Sequence, residues 1–431
     1  MNSMTANELR RAWVGFFADR GHTVVPSSGL IPNHPTAPLF TNAGMNQFVP
    51  YFLGEEAPPF GTATSVQKCV RTGDIELIGR TAGHCTFLEM LGNFSFGDYF
   101  KEGAIALAWE FATEVMGFDA ERIWATVYLD DDEAEQIWRD SIGLPGERVQ
   151  RLGDEDNFWE MQKGAPGPCG PNSELYYDRG PAYGADGGPA HGDEARYLEF
   201  WNLVFMQFNR EPDMSLVDLP KRNVDTGAGF ERNLLLLQEV DTVFETDVFR
   251  AIIETGERLT DTRYGADDRS DISLRILADH ARAITFLISD GVFPTNEGRG
   301  YVLRRILRRL VRHAYVLGVE RTITPTLVDS VVELMGEAYP QISTDRDMVG
   351  NIVTREEEQF RRTLAKGLGL LESELEALEA DAVLSGSTAF LLHDTHGFPL
   401  ELTEEIVGEH GVGVDRAGFT DEMAQQKRRA K

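Results

Sequence analysis

The spacing of apolar residues changes near residue 240, and this change limits the chain to a two-part α+β architecture. Residues 1–240 mix short apolar runs with glycine, proline and aromatic residues. ATVYL from Ala125 to Leu129, the run from Glu174 to Tyr177 and YLEFWNLVFMQF from Tyr197 to Phe208 read as strands. Gly180 to Gly192 reads as a Gly/Pro-rich surface loop. ELRRAWVGFFADRG places Leu9, Trp13, Phe16 and Phe17 on one helical face ended by Gly21, and HTVVPSS reads as a short strand stopped by Pro26. From Asp241 onward the pattern is helical. ISLRILADHARAITFLISD and YVLRRILRRLVRHAYVLG are amphipathic, and Phe360, Leu364, Leu368, Leu371, Leu375 and Leu378 form one apolar seam. Gly367 and Gly369 should weaken that helix locally. The expectation is an α+β domain over 1–240 and a mostly helical domain over 241–431.

Seventy acidic residues against 41 basic ones give a formal net charge of −29, which by itself disfavours a nucleic-acid partner. The distribution argues otherwise. Between Arg299 and His313 lie Arg299, Arg304, Arg305, Arg308, Arg309 and Arg312 with no acid among them, so this helix is expected to present a basic face that grips phosphates. A solvated charged face is the alternative reading of the same residues. No apolar run is long enough to span a bilayer, and MNSMTANELRRAW lacks a basic region followed by an apolar stretch, so neither membrane association nor a signal peptide is expected. Cys69, Cys85 and Cys169 are scattered without ligand spacing, which points to a reducing cytoplasm and no zinc.

No GxxxxGK[ST] loop, no GxGxxG opening a βαβ unit, no HExxH and no paired CxxC is present, which excludes P-loop, Rossmann and common zinc chemistry. Two stretches remain. SVQKCVRTGDIELIGRTAGHCTFLEMLGNFSFGDYF, residues 65–100, reads as strand, loop, strand, with Arg71 ending the first strand and Phe87, Phe94 and Phe96 following the loop. A guanidinium on a strand suits phosphate or carboxylate, and an aromatic face suits a purine. NVDTGAGFERNLLLLQ, residues 223–238, sets Gly227, Gly229 and Arg232 as G-x-G-x-x-R at the start of an apolar helix, where anionic groups are favoured. Asp225 before them suits a substrate ammonium. An edge strand with core phenylalanines, and a plain strand-to-helix turn with Asp225 near its N-cap, describe the same residues.

Taken together, the two stretches resemble motifs 2 and 3 of the class II aminoacyl-tRNA synthetases, and FFADRGHTVVPSS resembles motif 1. LFTNAGMNQF, EMLGNFSFGDYF, DNFWEM, WNLVFMQFNR, VDTGAGFER, NEGRGYVLRRILRR, the EEEQF…TL run and HDTHGFPLELT are similar, in order, to the alanyl-tRNA synthetase family. Family members are usually about twice as long, continuing into an editing domain, so this chain is expected to match the catalytic and tRNA-recognition half. The resemblance implies a class II synthetase-like antiparallel sheet flanked by helices, followed by a helical domain. It implies a ligase that activates L-alanine with ATP and Mg2+ and loads it onto the acceptor stem end of tRNA(Ala). Two other outcomes remain open: a paralog serving a non-tRNA acceptor, and a catalytically dead tRNA-binding homolog.

Residue by residue, the resemblance implies that Arg71 binds the α-phosphate and the amino-acid carboxylate. Arg232, beside Gly229, lies near adenine and the γ-phosphate, with Phe87 stacking across the base. Asp225 pairs with the alanine ammonium and Asn202 orients the alanine. Trp159, Val204 and Gly227 line a pocket too small for larger side chains, although core packing also explains Trp159 and Val204. Asn296 and Asp394 read the acceptor-stem G·U pair while Arg299, Arg304, Arg305 and Arg308 hold phosphates. The chain departs from the family pattern at Gly83, at the uninterrupted Thr72, Gly73 and Asp74, at Ala165 and Pro166, and at Asn172.

Overall fold

The computed structural model describes residues 3–73, 75–378 and 382–429, so Asp74 lies outside the described residues. The chain divides into two compact units: Met1–Arg71 with Thr81–Arg250, and Thr72–Arg80 with Ala251–Lys431.

The first unit is built on a nine-stranded sheet. Its strands are β1 (Thr23–Val24), β2 (Thr62–Val70), β3 (Phe87–Ser95), β4 (Ile123–Tyr128), β5 (Val149–Leu152), β6 (Phe158–Glu160), β7 (Gly167–Asp178), β8 (Tyr197–Arg210) and β9 (Leu216–Gly229). The order is β1-β2-β3-β9-β8-β7-β4-β5, with β6 on β7. The central pairs are antiparallel as expected, whereas β1/β2 and β4/β5 are parallel, so the sheet is mixed at its margins. Helices α1 (Ala6–Ala18), α2 (Val49–Leu53), α3 (Lys101–Glu110), α4 (Asp132–Gln136) and α5 (Phe230–Leu237) complete the unit.

Side chains alternate across a strand, which gives the sheet two distinct faces. Thr5 and Glu8 close a capping box that starts α1, and Leu9, Trp13, Phe16 and Phe17 are buried beneath it. Trp13 donates to Thr64 Oγ1 at 3.1 Å and packs against Trp201, ring centroids 4.7 Å apart. On the same face Arg10 forms an ion pair with Glu89 at 2.6 Å. On the opposite face Met45, Phe48, Val49 and Phe52 bury Phe94, Val204 and Met206.

The second unit is helical, with α6 (Asp247–Thr260) entering it and α7 (Asp268–Ser289), α8 (Gly298–Val316), α9 (Thr324–Met335), α10 (Pro340–Thr344), α11 (Arg346–Ala377), α12 (Gly386–Leu391), α13 (Leu400–Gly408) and α14 (Arg416–Arg429) following. The seam read along α11 is buried at Phe360, Leu364 and Leu371, while Leu378 lies past the helix end in extended conformation. Gly367 belongs to this seam. A Cβ there would sit 2.4 Å from Phe398 Cε2, so glycine serves close packing and is not merely a weak point. None of the described helices is long and apolar enough to cross a membrane.

Candidate active site

Cross-strand partners share a face, so the ladders decide which side chains meet. Asn202 is opposite Gly227 and Val204 opposite Asp225 in the β8–β9 ladder. Glu174 is opposite Asn202 and Asn172 opposite Val204 in β7–β8. Met90 is opposite Gly229, and a Cβ on Gly227 would sit 2.9 Å from Met90 Sδ. One face therefore carries Asp225, Gly227 and Gly229 from β9, Asn202 and Val204 from β8, and Asn172 and Glu174 from β7. Trp159 is opposite Gly170 and packs half-buried against the cluster containing Val204.

Arg71 continues the β2 alternation, because its N–H donates to Thr86 O at 2.9 Å and Cys69 is opposite Leu88. It is exposed, and Nε donates to Asn42 O at 3.4 Å, leaving the rest of the guanidinium without a partner among the described residues. Arg232, three residues past Gly229, donates through Nη1 to Glu199 Oε2 at 2.7 Å and Glu199 O at 3.2 Å. Its side chain keeps 25% of its surface. Burial lowers its pKa, but Glu199 outweighs this and holds the guanidinium above its ordinary range.

Asp225 is 4% exposed, and its carboxylate has no hydrogen-bond or ion-pair partner among the described residues. Burial alone pushes its pKa up to about 7. A buried acid without a partner is destabilising unless a ligand supplies the cation. Glu174, 8% exposed, accepts from Asn202 Nδ2 at 2.8 Å and from Tyr176 Oη at 2.5 Å. Burial, followed by the charge of Glu199, holds its carboxyl well above the usual range. The sequence reading passed over Glu174, Tyr176 and Glu199, because a carboxylate inside an apolar strand shows no pattern until the ladder partners are known. A cavity of about 660 Å³ opens beside this face, lined by Trp159, Glu160, Lys163, Glu174, Asn202 and Arg210; Asp225 and Arg71 lie outside its lining.

Two expectations are corrected. Phe87 is wholly buried and, by alternation, shares the α1 face with Glu89, so the structure does not bring it beside Asp225. Its neighbour Leu88, half-buried, occupies the site face instead. The arginines of α8 do not form a free basic face. Arg304 makes a two-pronged pair with Glu356 at 3.1 and 3.2 Å, Arg305 pairs with Glu76, and Arg308 donates to Gly397 O and lies 5.3 Å from the Phe360 ring. Arg309 pairs with Glu405 at 2.7 and 2.8 Å, and Arg312 with Glu409 at 2.9 and 2.7 Å. The acids missing from the α8 sequence arrive from distant segments. Arg299 is half-buried. Asn296 and Asp394 are exposed; Asn296 Oδ1 accepts from Arg304 and Asp394 Oδ1 from Gln426.

A mostly antiparallel sheet ending in a glycine-rich strand-to-helix turn, with one arginine on the strand side and one on the helix, defines a class II synthetase core. The chain belongs to the family described as tRNA synthetases class II (A), which matches residues 8–431. It is 52% identical to an alanine–tRNA ligase of Streptomyces avermitilis and 53% identical to one of Nocardia farcinica, each over 99% of this chain and 49% of the relative. It is 49% identical to the alanine–tRNA ligase of Thermoanaerobacter pseudethanolicus, over all of this chain and 49% of that protein. The chain thus spans about half the length of the curated relatives it matches.

Proposed function

We propose that this chain activates L-alanine with ATP to alanyl-adenylate and transfers the alanine to the 3′ end of tRNA(Ala) in the cytoplasm. The observation carrying this reading is Asp225, a buried carboxylate without a cation among the described residues, with Val204 directly across from it and Gly227 two residues further along β9. The alanine ammonium completes that ion pair. A carboxylate oxygen of alanine attacks the α-phosphorus, and the bond to the β-phosphate oxygen breaks to release pyrophosphate. Arg71, on the same face and with its side chain bonded only through Nε to Asn42 O among the described residues, stabilises the charge that develops on the α-phosphate. Arg232 offers its flat guanidinium to the adenine, with Leu88 as the apolar contact. In the second step a ribose hydroxyl of the terminal adenosine attacks the alanyl carbonyl, loses its proton, and AMP leaves.

Mg2+ accompanies the nucleotide. Bound with ATP, it would neutralise charge on the phosphate oxygens, and one or two carboxylates would suffice to help hold it. We assign the chemistry to residues 1–240 and tRNA recognition to residues 241–431, where Asn296 and Asp394 are available to contact the acceptor stem. The test is ATP–pyrophosphate exchange with each of the twenty amino acids, followed by charging of tRNA(Ala) against carrier-protein and small-molecule acceptors. Exchange with alanine and charging of tRNA support the proposal. Exchange without tRNA charging would reassign the acceptor, and silence with every amino acid would leave a binding protein.

A further inference from the structure

Asn172 and Glu174 have no part in the steps above, yet both contact Asn202. Asn172 Nδ2 donates to Asn202 Oδ1 at 3.0 Å and to Glu174 Oε1 at 3.2 Å. Asn202 Nδ2 donates to the same Glu174 Oε1 at 2.8 Å, and Tyr176 Oη lies 2.5 Å from Glu174 Oε2. Asn172 is 1% exposed, and its backbone N–H and C=O are tied to Asn157 at 3.0 and 3.2 Å.

A carboxamide fits its space either way round, so its partners decide which end faces a ligand. Rotating the Asn202 amide by half a turn would set its oxygen against Glu174 Oε1 and its NH2 against the NH2 of Asn172. Both hydrogen bonds would be lost in a buried setting. Asn202 is therefore fixed with its oxygen toward Asn172 and one Nδ2–H spent on Glu174. Its second Nδ2–H remains, and Asn202 lines the cavity beside the site.

Resting on the alanine-activation reading, we infer that Asn172 and Glu174 are positioning residues that hold Asn202 as a hydrogen-bond donor to the carboxylate of the amino acid. The ladder supports the spacing. Asn202 and Asp225 are diagonal neighbours on adjacent strands, about 7–8 Å apart, which suits an α-amino acid held by both ends. Glu174 Oε1 accepts from both asparagines while Oε2 accepts from Tyr176 Oη. Glutamine keeps the Oε1 acceptor, with the Tyr176 hydroxyl able to turn and accept from its NH2, and alanine keeps neither.

The test is pyrophosphate exchange in Asn172→Ala, Glu174→Ala and Glu174→Gln, with the KM values for alanine and ATP measured separately and folding checked by thermal melting. The inference expects the alanine KM to rise about tenfold in both alanine variants, the effect of one misplaced hydrogen bond, with the ATP KM within about twofold. Glu174→Gln should recover most of the loss. Asn172→Asp keeps the side-chain size and reverses the polarity facing Asn202, and it should raise the alanine KM at least as far should Asn172→Ala fold poorly. Equal rises in both KM values, or no rise in either, would overturn the inference while leaving alanine activation standing. Wild-type protein silent with every amino acid would remove the parent reading as well.

Discussion

Val204 stands directly across from Asp225 in the β8–β9 ladder, so an apolar side chain that is itself 2% exposed walls the carboxylate. Burial raises the Asp225 pKa from 3.8 to about 7. The folded chain then binds more protons than the unfolded chain between these values. Stability contributed by the protonated form is fully present below pH 4 and is lost as the pH rises through about 7. The whole difference is worth up to about 4 kcal/mol. Asp225→Asn should therefore stabilise the ligand-free protein at pH 8 by about 2–4 kcal/mol in denaturant unfolding, while the wild-type kcat/KM for alanine rises through pH 7 as Asp225 ionises. An Asp225→Asn variant less stable than wild type at pH 8 would show that the carboxylate has a partner in solution.

Under the proposed reading, selectivity follows from the same wall: Val204 and Gly227 would exclude bulk, but one methyl or hydroxyl in such a pocket is worth only about 1–3 kcal/mol. Exchange with glycine and serine should run about 10–200-fold below alanine in kcat/KM, and valine or leucine should give none. Gly227→Ala would place a Cβ 2.9 Å from Met90 Sδ and should sharply raise the alanine KM. Leucine activation comparable to alanine would show that the pocket is not bounded by these residues.

The ion pairs of α8 separate fold from recognition. Arg304→Ala or Arg308→Ala should lower Tm, since each removes the partner of an enclosed group, and should leave the salt dependence of tRNA binding nearly unchanged. Asn296→Ala and Asp394→Ala, both exposed, should keep Tm and the exchange reaction yet slow tRNA charging about tenfold or more. A shallower salt slope in the arginine variants would mean that these cations release their partners to meet phosphate.

Gly367→Ala sets helix propensity against packing. Propensity favours alanine by about 1 kcal/mol. The added Cβ, 2.4 Å from Phe398 Cε2, should cost about 1–3 kcal/mol or more, so the net change in denaturant unfolding should be destabilising. Gly369→Ala, with nothing within 4 Å, should be neutral or stabilising and serves as the control.

These residues also show what one-dimensional reading reaches. The long strands and helices were legible because their apolar periods are strong, and Asp225, Gly227 and Arg232 because glycines punctuate a strand entering a helix. The parallel margins β1/β2 and β4/β5 were not, since strand pairing leaves no local mark. Phe87 was misplaced by one position: alternation sends it and Leu88 to opposite faces, and the sequence alone does not state which face holds the ligand. The α8 arginines looked free because Glu76, Glu356, Glu405 and Glu409 lie far away in the chain. Glu174 and Asn172 became meaningful only once the ladder set them beside Asn202.

Alanine-dependent ATP–pyrophosphate exchange in wild type and Arg71→Ala tests the central claim most directly. Arg71 is exposed and directly follows β2, so its truncation should leave the fold intact. The account predicts robust wild-type exchange and a loss of about 100- to 1000-fold in the variant. Exchange in Arg71→Ala within a few-fold of wild type would contradict it.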